Sequence, residues 1–512
     1  MTTDAIDWGN ERDRARAPIY RARAADWRVG PVVYHVFVDR FAPPDPARLS
    51  AKRGLYAPPR ILHDWDEPIA RGERLEDLGL HSHELEFWGG DLRSVMSRLD
   101  YVQGLGADVL YLNPIHKAFT NHKYDADDYS EVSPEYGTRD DVRALARDLH
   151  ARGMKLMLDG VFNHMGRSSP MFKDALENPA SPYRDWFMIG PEHPGGYLGW
   201  ANVRNLPELR LENPDVRRMI WDGPESVVRS YLRDGVDGWR LDVAYDLGFK
   251  YLAELTAAAH AEKPGSLVIG EIWNDPAEWT PGLDALMNFH ARHILLCYLG
   301  GKLGGGRAGR LLQRMVDDAG LESMLRGWLV LDNHDTARLK HTIPERNKRR
   351  LAQVLQFTLP GAPCVYYGTE VGMEGGDDPF NRASMRWELV SEDNDDLAFF
   401  RSLIEMRRRC PALRIGDFRV LDADHMLAFQ RRTDRATDTV IVVANASGLA
   451  ASEVIPVCEP KLANFAPLVD ELSGAEFRVH SGTVEVEVPA ESVLVLRTRP
   501  PEKGYSPLKR VR

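Results

Sequence analysis

Eight short runs of β-branched and aliphatic residues are spaced along residues 32–368, each parted from the next by longer polar or amphipathic sequence. In order they are VVYHVFV (Val32 to Val38), ADVLYLN (Ala107 to Asn113), MKLMLD (Met154 to Asp159) and VDGWRLD (Val236 to Asp242), then SLVIGE (Ser266 to Glu271), ALMNF (Ala285 to Phe289), GWLVLDN (Gly327 to Asn333) and PCVYYG (Pro363 to Gly368). Runs that stay apolar rather than alternating belong to strands covered on both faces. The intervening stretches DLRSVMSRLDYVQGLG and RDDVRALARDLHARG place Leu, Val and Met at three- and four-residue steps before a glycine, which is the pattern of a stopped amphipathic helix. Eight strand–helix units predict an α/β fold: a closed (β/α)8 barrel of the TIM type over residues 31–412, rather than an open doubly wound sheet.

Two segments do not fit the repeat. After the third strand, SPYRDWFMIGPEHPGGYLGWANVRNLPELR (Ser181 to Arg210) is too long and too rich in Pro, Gly and aromatics for a simple loop, and predicts an inserted subdomain over about residues 165–215. From residue 413 to 500, alternating segments such as MLAFQRR, DTVIVVANAS and TVEVEVPAESVLVLRT predict a C-terminal antiparallel β-sandwich. Residues 1–30 form an N-terminal extension and 501–512 a tail, while GGKLGGGRAGR (Gly300 to Arg310) reads as a low-complexity loop.

Composition narrows the partners. A formal net charge of -11 gives no general attraction for nucleic acid or anionic membrane, so neither partner is expected and an uncharged polar ligand fits better. The start, MTTDAIDWGNERDRARAPIY, has no apolar core of signal-peptide length, and no run nears the roughly 20 apolar residues of a membrane span, which predicts a soluble, cytoplasmic protein. The four cysteines, Cys297, Cys364, Cys410 and Cys458, show neither paired nor metal-type spacing and are read as reduced thiols.

In such a barrel the reactive groups gather at the C-terminal strand ends. Asp159, Asn163 and His164 follow the third strand, Arg240 and Asp242 close the fourth, Glu271 ends the fifth, and His334 and Asp335 follow the seventh. One acid at a strand end is ordinarily a cap or a surface charge; three carboxylates, Asp242, Glu271 and Asp335, converging from three strands with two histidines and an arginine are harder to dismiss. Arg240, two residues before Asp242 on the same strand face, is placed to keep it ionised, while crowding raises the pKa of a neighbouring acid. A divided pair of one anion and one protonated acid is what cleavage of a glycosidic bond requires. Asp237 and Asp246 flank the strand and are not assigned to the chemistry.

These residues lie in an ordered series, ADVLYLNP, DGVFNH, GWRLDVA, GEIW, NHD and PGAPCVYYGTE, that resembles the conserved regions of the α-amylase family, glycoside hydrolase family 13. The resemblance implies Asp242 as nucleophile, Glu271 as general acid/base and Asp335 as the carboxylate that holds the sugar's 2- and 3-hydroxyls, with Arg240, His164 and His334 contacting the sugar in the −1 subsite. WGGDLRSVMSRLDYVQGLG and AFTNHKYDADDYSEVSPEYGT are similar to the neopullulanase, cyclomaltodextrinase and maltogenic amylase branch. There the resemblance implies that Tyr124 stacks on the −1 glucose, His122 bonds nearby, and Asp378 and Arg382 of GGDDPFNR grip the −2 sugar; at this spacing the last two also read as a plain salt bridge.

The chain departs from that branch in ways that bear on function. Only about 30 residues precede the first strand, where relatives carry a β-sandwich that helps form a dimer, so the oligomeric state is left open. The usual calcium loop is represented by DRFAPPDPARL, which leaves Asp45, Asp91 and the carbonyl of Gly89 for a cation that takes six to eight oxygens; no obligatory calcium or other metal, and no cofactor, is expected. Tyr245 and Asp246 replace a Lys-His pair of endo-acting relatives, and Trp273 offers an apolar platform for an acceptor sugar. The implied activity is retaining hydrolysis of α-1,4 bonds in short or cyclic α-glucans, with transglycosylation. A 4-α-glucanotransferase, an α-glucosidase and a binding-only relative stand as alternatives.

Overall fold

The computed structural model describes residues 11–499 together with Ser506 and Leu508. The first ten residues of the extension, and the tail apart from those two positions, lie outside the described residues. All eight predicted strands form: β1 Val33–Val36, β2 Val109–Leu112, β3 Lys155–Gly160, β4 Gly238–Leu241, β5 Leu267–Ile272, β6 Ala285–Asn288, β7 Trp328–Val330 and β8 Ala362–Tyr366. Each pairs in parallel with its sequence neighbours, and β8 closes on β1 to complete the predicted barrel.

The alternation of side chains along each strand divides the two cores. Val33, Val109, Tyr111, Met157, Leu267, Ile269, Met287 and Trp328 fill the barrel lumen, and Trp27 packs against them. Trp239 and Leu241 of β4 point outward into the helix-facing core, so Arg240 between them projects into the lumen. Register then matters for function: Arg240 lies opposite Asp159 on β3 and Ile269 on β5, which brings one guanidinium level with the acids of two strands.

Several connections carry function or correct the sequence reading. Helix α1 (Glu11–Ala25) gives the N-terminal extension a structural role: Arg23 ion-pairs with Glu322 at 2.6 Å and Asp417 at 3.0 Å, tying the extension to both barrel and C-terminal domain. Helix α2 (Arg139–Ala151) begins in a Thr138–Asp141 capping box and leads into β3. The stretch from Asp91 to Gly106, read as one helix, is two, Leu92–Met96 and Leu99–Leu105. Helix α3 (Ala244–Glu262) follows β4 and is interrupted at Gly248, whose φ of 73° only glycine adopts freely. The supposed glycine loop is also corrected. Helix α4 (Gly305–Ala319) starts inside it, at positions where glycine is required: a Cβ on Gly305 would meet the backbone of Met426 at 2.1 Å and one on Gly309 would meet Val420 at 2.8 Å. These glycines let a helix lie directly on the C-terminal sheet.

The segment after β3 holds helix Pro170–Glu177 and isolated bridges joining Phe187 to Leu209, Ile189 to Tyr197 and Gly199 to Pro207 around the rings of Phe172, Phe187 and Tyr197. A further bridge, His164 to Glu208, ties it to the end of β3. After β2, a hairpin (His116–Ala118 with Ala126–Val132) that periodicity did not announce carries Tyr124 in its turn. The C-terminal domain comprises β9 Asp417–Val420, β10 Leu427–Arg432, β11 Val440–Asn445, β12 Ala451–Pro456, β13 Pro467–Asp470, β14 Glu476–Arg478, β15 Thr483–Val488 and β16 Ser492–Thr498. Six strands in the order β9-β10-β11-β16-β13-β14 pack through Ile441, Ile455, Val486 and Leu496 on the β12–β15 pair, the predicted antiparallel architecture. Among the described residues no helix is long and apolar enough to cross a membrane.

Candidate active site

At the C-terminal mouth of the barrel lies a cavity of about 420 Å³ lined by Asp242, Glu271 and Asp335, the carboxylates that follow β4, close β5 and follow β7. Arg240 organises them from below. Its Nη1 donates to Asp242 Oδ1 at 2.8 Å and to Asp159 at 2.8 Å, and its Nη2 lies 2.8 Å from Glu271 Oε2. One wholly buried cation therefore faces three acids from three adjacent strands, and against the cost of burial its own pKa is driven well above the usual guanidinium range by the charges of Asp159 and Glu271.

The backbone after β4 supplies another donor. Val243 has φ 39°, a left-handed conformation costly for a β-branched residue, and from there its N–H donates to Glu271 Oε2 at 3.1 Å. The strained elbow links the two acids that a glycosidase mechanism pairs. Glu271 also accepts at Oε1 from the indole of Trp273 at 3.0 Å; that ring is 51% exposed and stacks on Phe289 at 3.9 Å.

Burial shifts the cluster's protonation. It pushes Asp242 well above the usual carboxylate range, with Arg240 opposing and Glu271, Asp159 and Asp335 adding to the rise. Asp335, a third exposed at 33%, is pushed to about 7 by burial and by the charge of Glu271, with Arg382 opposing. The four acids face only two guanidiniums, so the cluster as a unit retains a proton near neutral pH.

Among the remaining predicted residues, His164 lines the cavity, wholly buried, with neither ring nitrogen partnered. His334 is covered, its Nε2 2.6 Å from Tyr124 Oη and 3.1 Å from Asp335 Oδ2. Burial lowers the pKa of both, that of His164 to about 3, so each is a neutral hydrogen-bonding group. Tyr124 lines the cavity and stacks on His334 with ring centroids 5.1 Å apart. His122 sits behind it, accepting at Nδ1 from the Tyr124 N–H and lying 3.0 Å from Glu84. Asp378 and Arg382 do form the salt bridge that their spacing allows, at 3.3 Å, yet Arg382 is largely covered and also reaches to 3.7 Å from Asp335. This pair stands at the edge of the three acids, outside the residues that line the cavity itself.

Sequence reasoning missed Trp200, Leu206 and Asn274, which line the same cavity, and set Asp246 aside although it too lines it. Trp200 comes from the inserted subdomain, stacks near His164 at 5.6 Å and donates its indole N–H to Asp246 at 2.8 Å. The aromatic density of YLGWAN was the available signal; only the fold shows that this segment caps the barrel mouth.

The calcium position tests negatively on its donors. Asp91 receives Lys52 Nζ at 2.8 Å, Arg48 at 3.3 Å and the Ser94 N–H at 2.7 Å, and Lys52 Nζ also donates to the Glu135 carbonyl at 2.7 Å. Asp45 caps the next helix. The carboxylate that would hold a divalent cation is occupied by two side-chain cations, and the residues do not fit the metal. Among the described residues no cluster of three metal-ligating side chains occurs.

The raised pKa of Asp335 gives a directional prediction. A carboxyl that binds its proton more tightly folded than unfolded stabilises fully below the usual carboxylate range, and loses that contribution as pH rises through about 7. Asp335→Asn removes the ionisation, so its Tm relative to the parent increases between pH 5 and pH 8; a difference constant over that range would contradict the shift.

The chain is similar to known proteins over most of its length. Residues 35–411 match the family described as alpha amylase, catalytic domain. A cyclomaltodextrinase from Bacillus sp is 36% identical over 373 residues, 70% of this chain and 66% of that protein. Neopullulanase 2 from Thermoactinomyces vulgaris is 33% identical over 424 residues, 79% of this chain and 68% of that protein. The chain thus spans about two thirds of the length of these curated relatives. Among solved structures, the ligand-free cyclic alpha-maltosyl-(1-->6)-maltose hydrolase of Arthrobacter globiformis superposes with a TM-score of 0.77 at 29% identity, covering 93% of this chain and 100% of that one.

Proposed function

The chain belongs to the α-amylase catalytic-domain family, and from that premise we propose that it is a retaining hydrolase of α-1,4-glucosidic bonds in maltooligosaccharides, cyclodextrins or related α-glucans, with transglycosylation. The observation that carries the reading is the single cavity into which Asp242, Glu271 and Asp335 project, with Arg240 beneath them.

In this reading Asp242, oriented by Arg240 Nη1 at 2.8 Å, attacks the anomeric carbon in its ionised form. Glu271, which accepts from the indole of half-exposed Trp273, protonates the departing oxygen. Water or a second sugar then enters, Glu271 takes its proton, and the glycosyl–Asp242 ester is cleaved with the α configuration restored. Neutral His164, with two unpartnered nitrogens at the cavity wall, hydrogen-bonds sugar hydroxyls, and Asp335 holds the hydroxyls next to the reacting carbon. Tyr124 gives the pyranose an aromatic face. Asp378 and Arg382 serve the sugar beyond it, with His122 supporting Tyr124. Transfer to a sugar follows from the same intermediate whenever Trp273 holds an acceptor better than water.

The same reading needs no calcium, because Lys52 and Arg48 already neutralise Asp91. Four cysteines without a disulfide fit a cytoplasmic setting. The test is a product profile on β-cyclodextrin and maltotriose after exhaustive chelation. Maltose and glucose are expected from both, with longer oligosaccharides formed at high maltotriose concentration. No cleavage of either sugar would refute hydrolysis, loss of activity restored by calcium would refute the metal reading, and the absence of longer products would refute transfer.

A further inference from the structure

Continuous with the cavity at Tyr245, which lines it together with Glu271 and Trp273, runs a strip of aromatic surface that the mechanism does not use. Tyr245, at the cavity edge, is 56% exposed, and Phe249, one turn further along α3, is 51% exposed. Both rest on the buried ring of Trp279, at centroid distances of 5.2 Å and 4.3 Å, so their positions are fixed by packing. The backbone is shaped for this display: the left-handed Val243 (φ 39°) just before the helix and the break at Gly248 (φ 73°) within it bracket Tyr245. Large exposed rings are costly in water and, grouped, mark a binding surface. The strip is continuous with the cavity through Tyr245, and Asp246 and Asn274 flank it there with polar groups suited to hydroxyls.

We propose that Tyr245, Phe249 and the Trp279 ring beneath them form a carbohydrate platform for the glucosyl units beyond the bond being cleaved, so that longer α-glucans bind as substrates and as acceptors through the apolar faces of their rings. The proposal rests on the α-glucan reading above. Aromatic faces complement the C–H faces of pyranoses, and rings already held by a third ring lose little freedom on binding. Because Tyr245 lines the same cavity as Trp273, the strip lengthens the acceptor side with uncharged rings.

The test uses Phe249, which lies outside the cavity. Phe249→Ala is expected to raise KM for maltoheptaose about tenfold with kcat retained, and to leave both constants for maltotriose unchanged. Phe249→Leu, which keeps apolar contact with Trp279 but offers no ring face, should behave in the same way. Equal effects on the two sugars, or none on either, would overturn the platform. So would a wild-type mass of two chains that falls to one in Phe249→Ala, since the strip would then join copies of the protein. Maltoheptaose binding to Asp242→Asn, followed by tryptophan fluorescence, separates the two claims: if the wild-type protein cleaves no α-glucan while this binding still depends on Phe249, the reaction is refuted and the platform kept.

Discussion

Asp242→Asn is expected to lower kcat on any α-glucan by roughly 10⁴- to 10⁶-fold, the scale of losing a nucleophile, while Tm at pH 7 stays level or rises. The amide matches the carboxylate in shape but cannot attack carbon, so the first chemical step fails. Stability moves the other way, because burial and three neighbouring acids make the Asp242 anion costly to hold, with Arg240 only partly offsetting them. Acids at such sites are kept for reactivity at some expense to stability. The check is kcat on β-cyclodextrin beside a thermal melt of the same preparation. Loss of activity with a lower Tm would point to a structural acid, and retained activity would remove Asp242 from the reaction.

Arg240→Met has the largest expected effect on stability. It removes the one cation that, among the described residues, contacts Asp159, Asp242 and Glu271, two of them at 2.8 Å from the same nitrogen, in a place with no exposure to water. Breaking a buried ion pair by deleting one partner costs about 3–5 kcal/mol, since the remaining charge stays buried. Three acids are left here, and they can shed charge only by taking up protons. The loss should therefore be greater at pH 8 than at pH 5, and activity should fall at least about a hundredfold at both. Arg240→Lys keeps the charge but not the planar fork, and should recover part of the stability with little of the activity. Urea melts at the two pH values decide the matter; a loss independent of pH would mean that packing, not charge, is what Arg240 provides.

How much of this was legible in the sequence follows from which interactions are local. The eight barrel strands were visible because burial on both faces requires apolar runs, and strand-end chemistry was visible because Asp242, Glu271 and Asp335 interrupt or follow those runs at set places. Arg240 could be assigned from two-residue periodicity alone. Its contact with Asp159 and Glu271 could not, because that depends on register between strands distant in sequence. The same limit hid Trp200, whose segment has no regular period and which meets His164 and Asp246 only through the fold. The glycines from Gly300 to Arg310 read as a loop because close approach to Met426 and Val420 is a tertiary fact. The two cations on Asp91 were likewise unreadable, although the shortage of oxygen donors was plain.

The most direct test of the account is to trap the reaction halfway. A 5-fluoro-α-glucosyl fluoride, which forms the glycosyl-enzyme and slows its hydrolysis, should add one sugar to the protein, and peptide mass analysis should place the ester on the carboxylate of Asp242. A sugar found on Glu271 or Asp335, or release of the β-anomer with no covalent adduct, would contradict it.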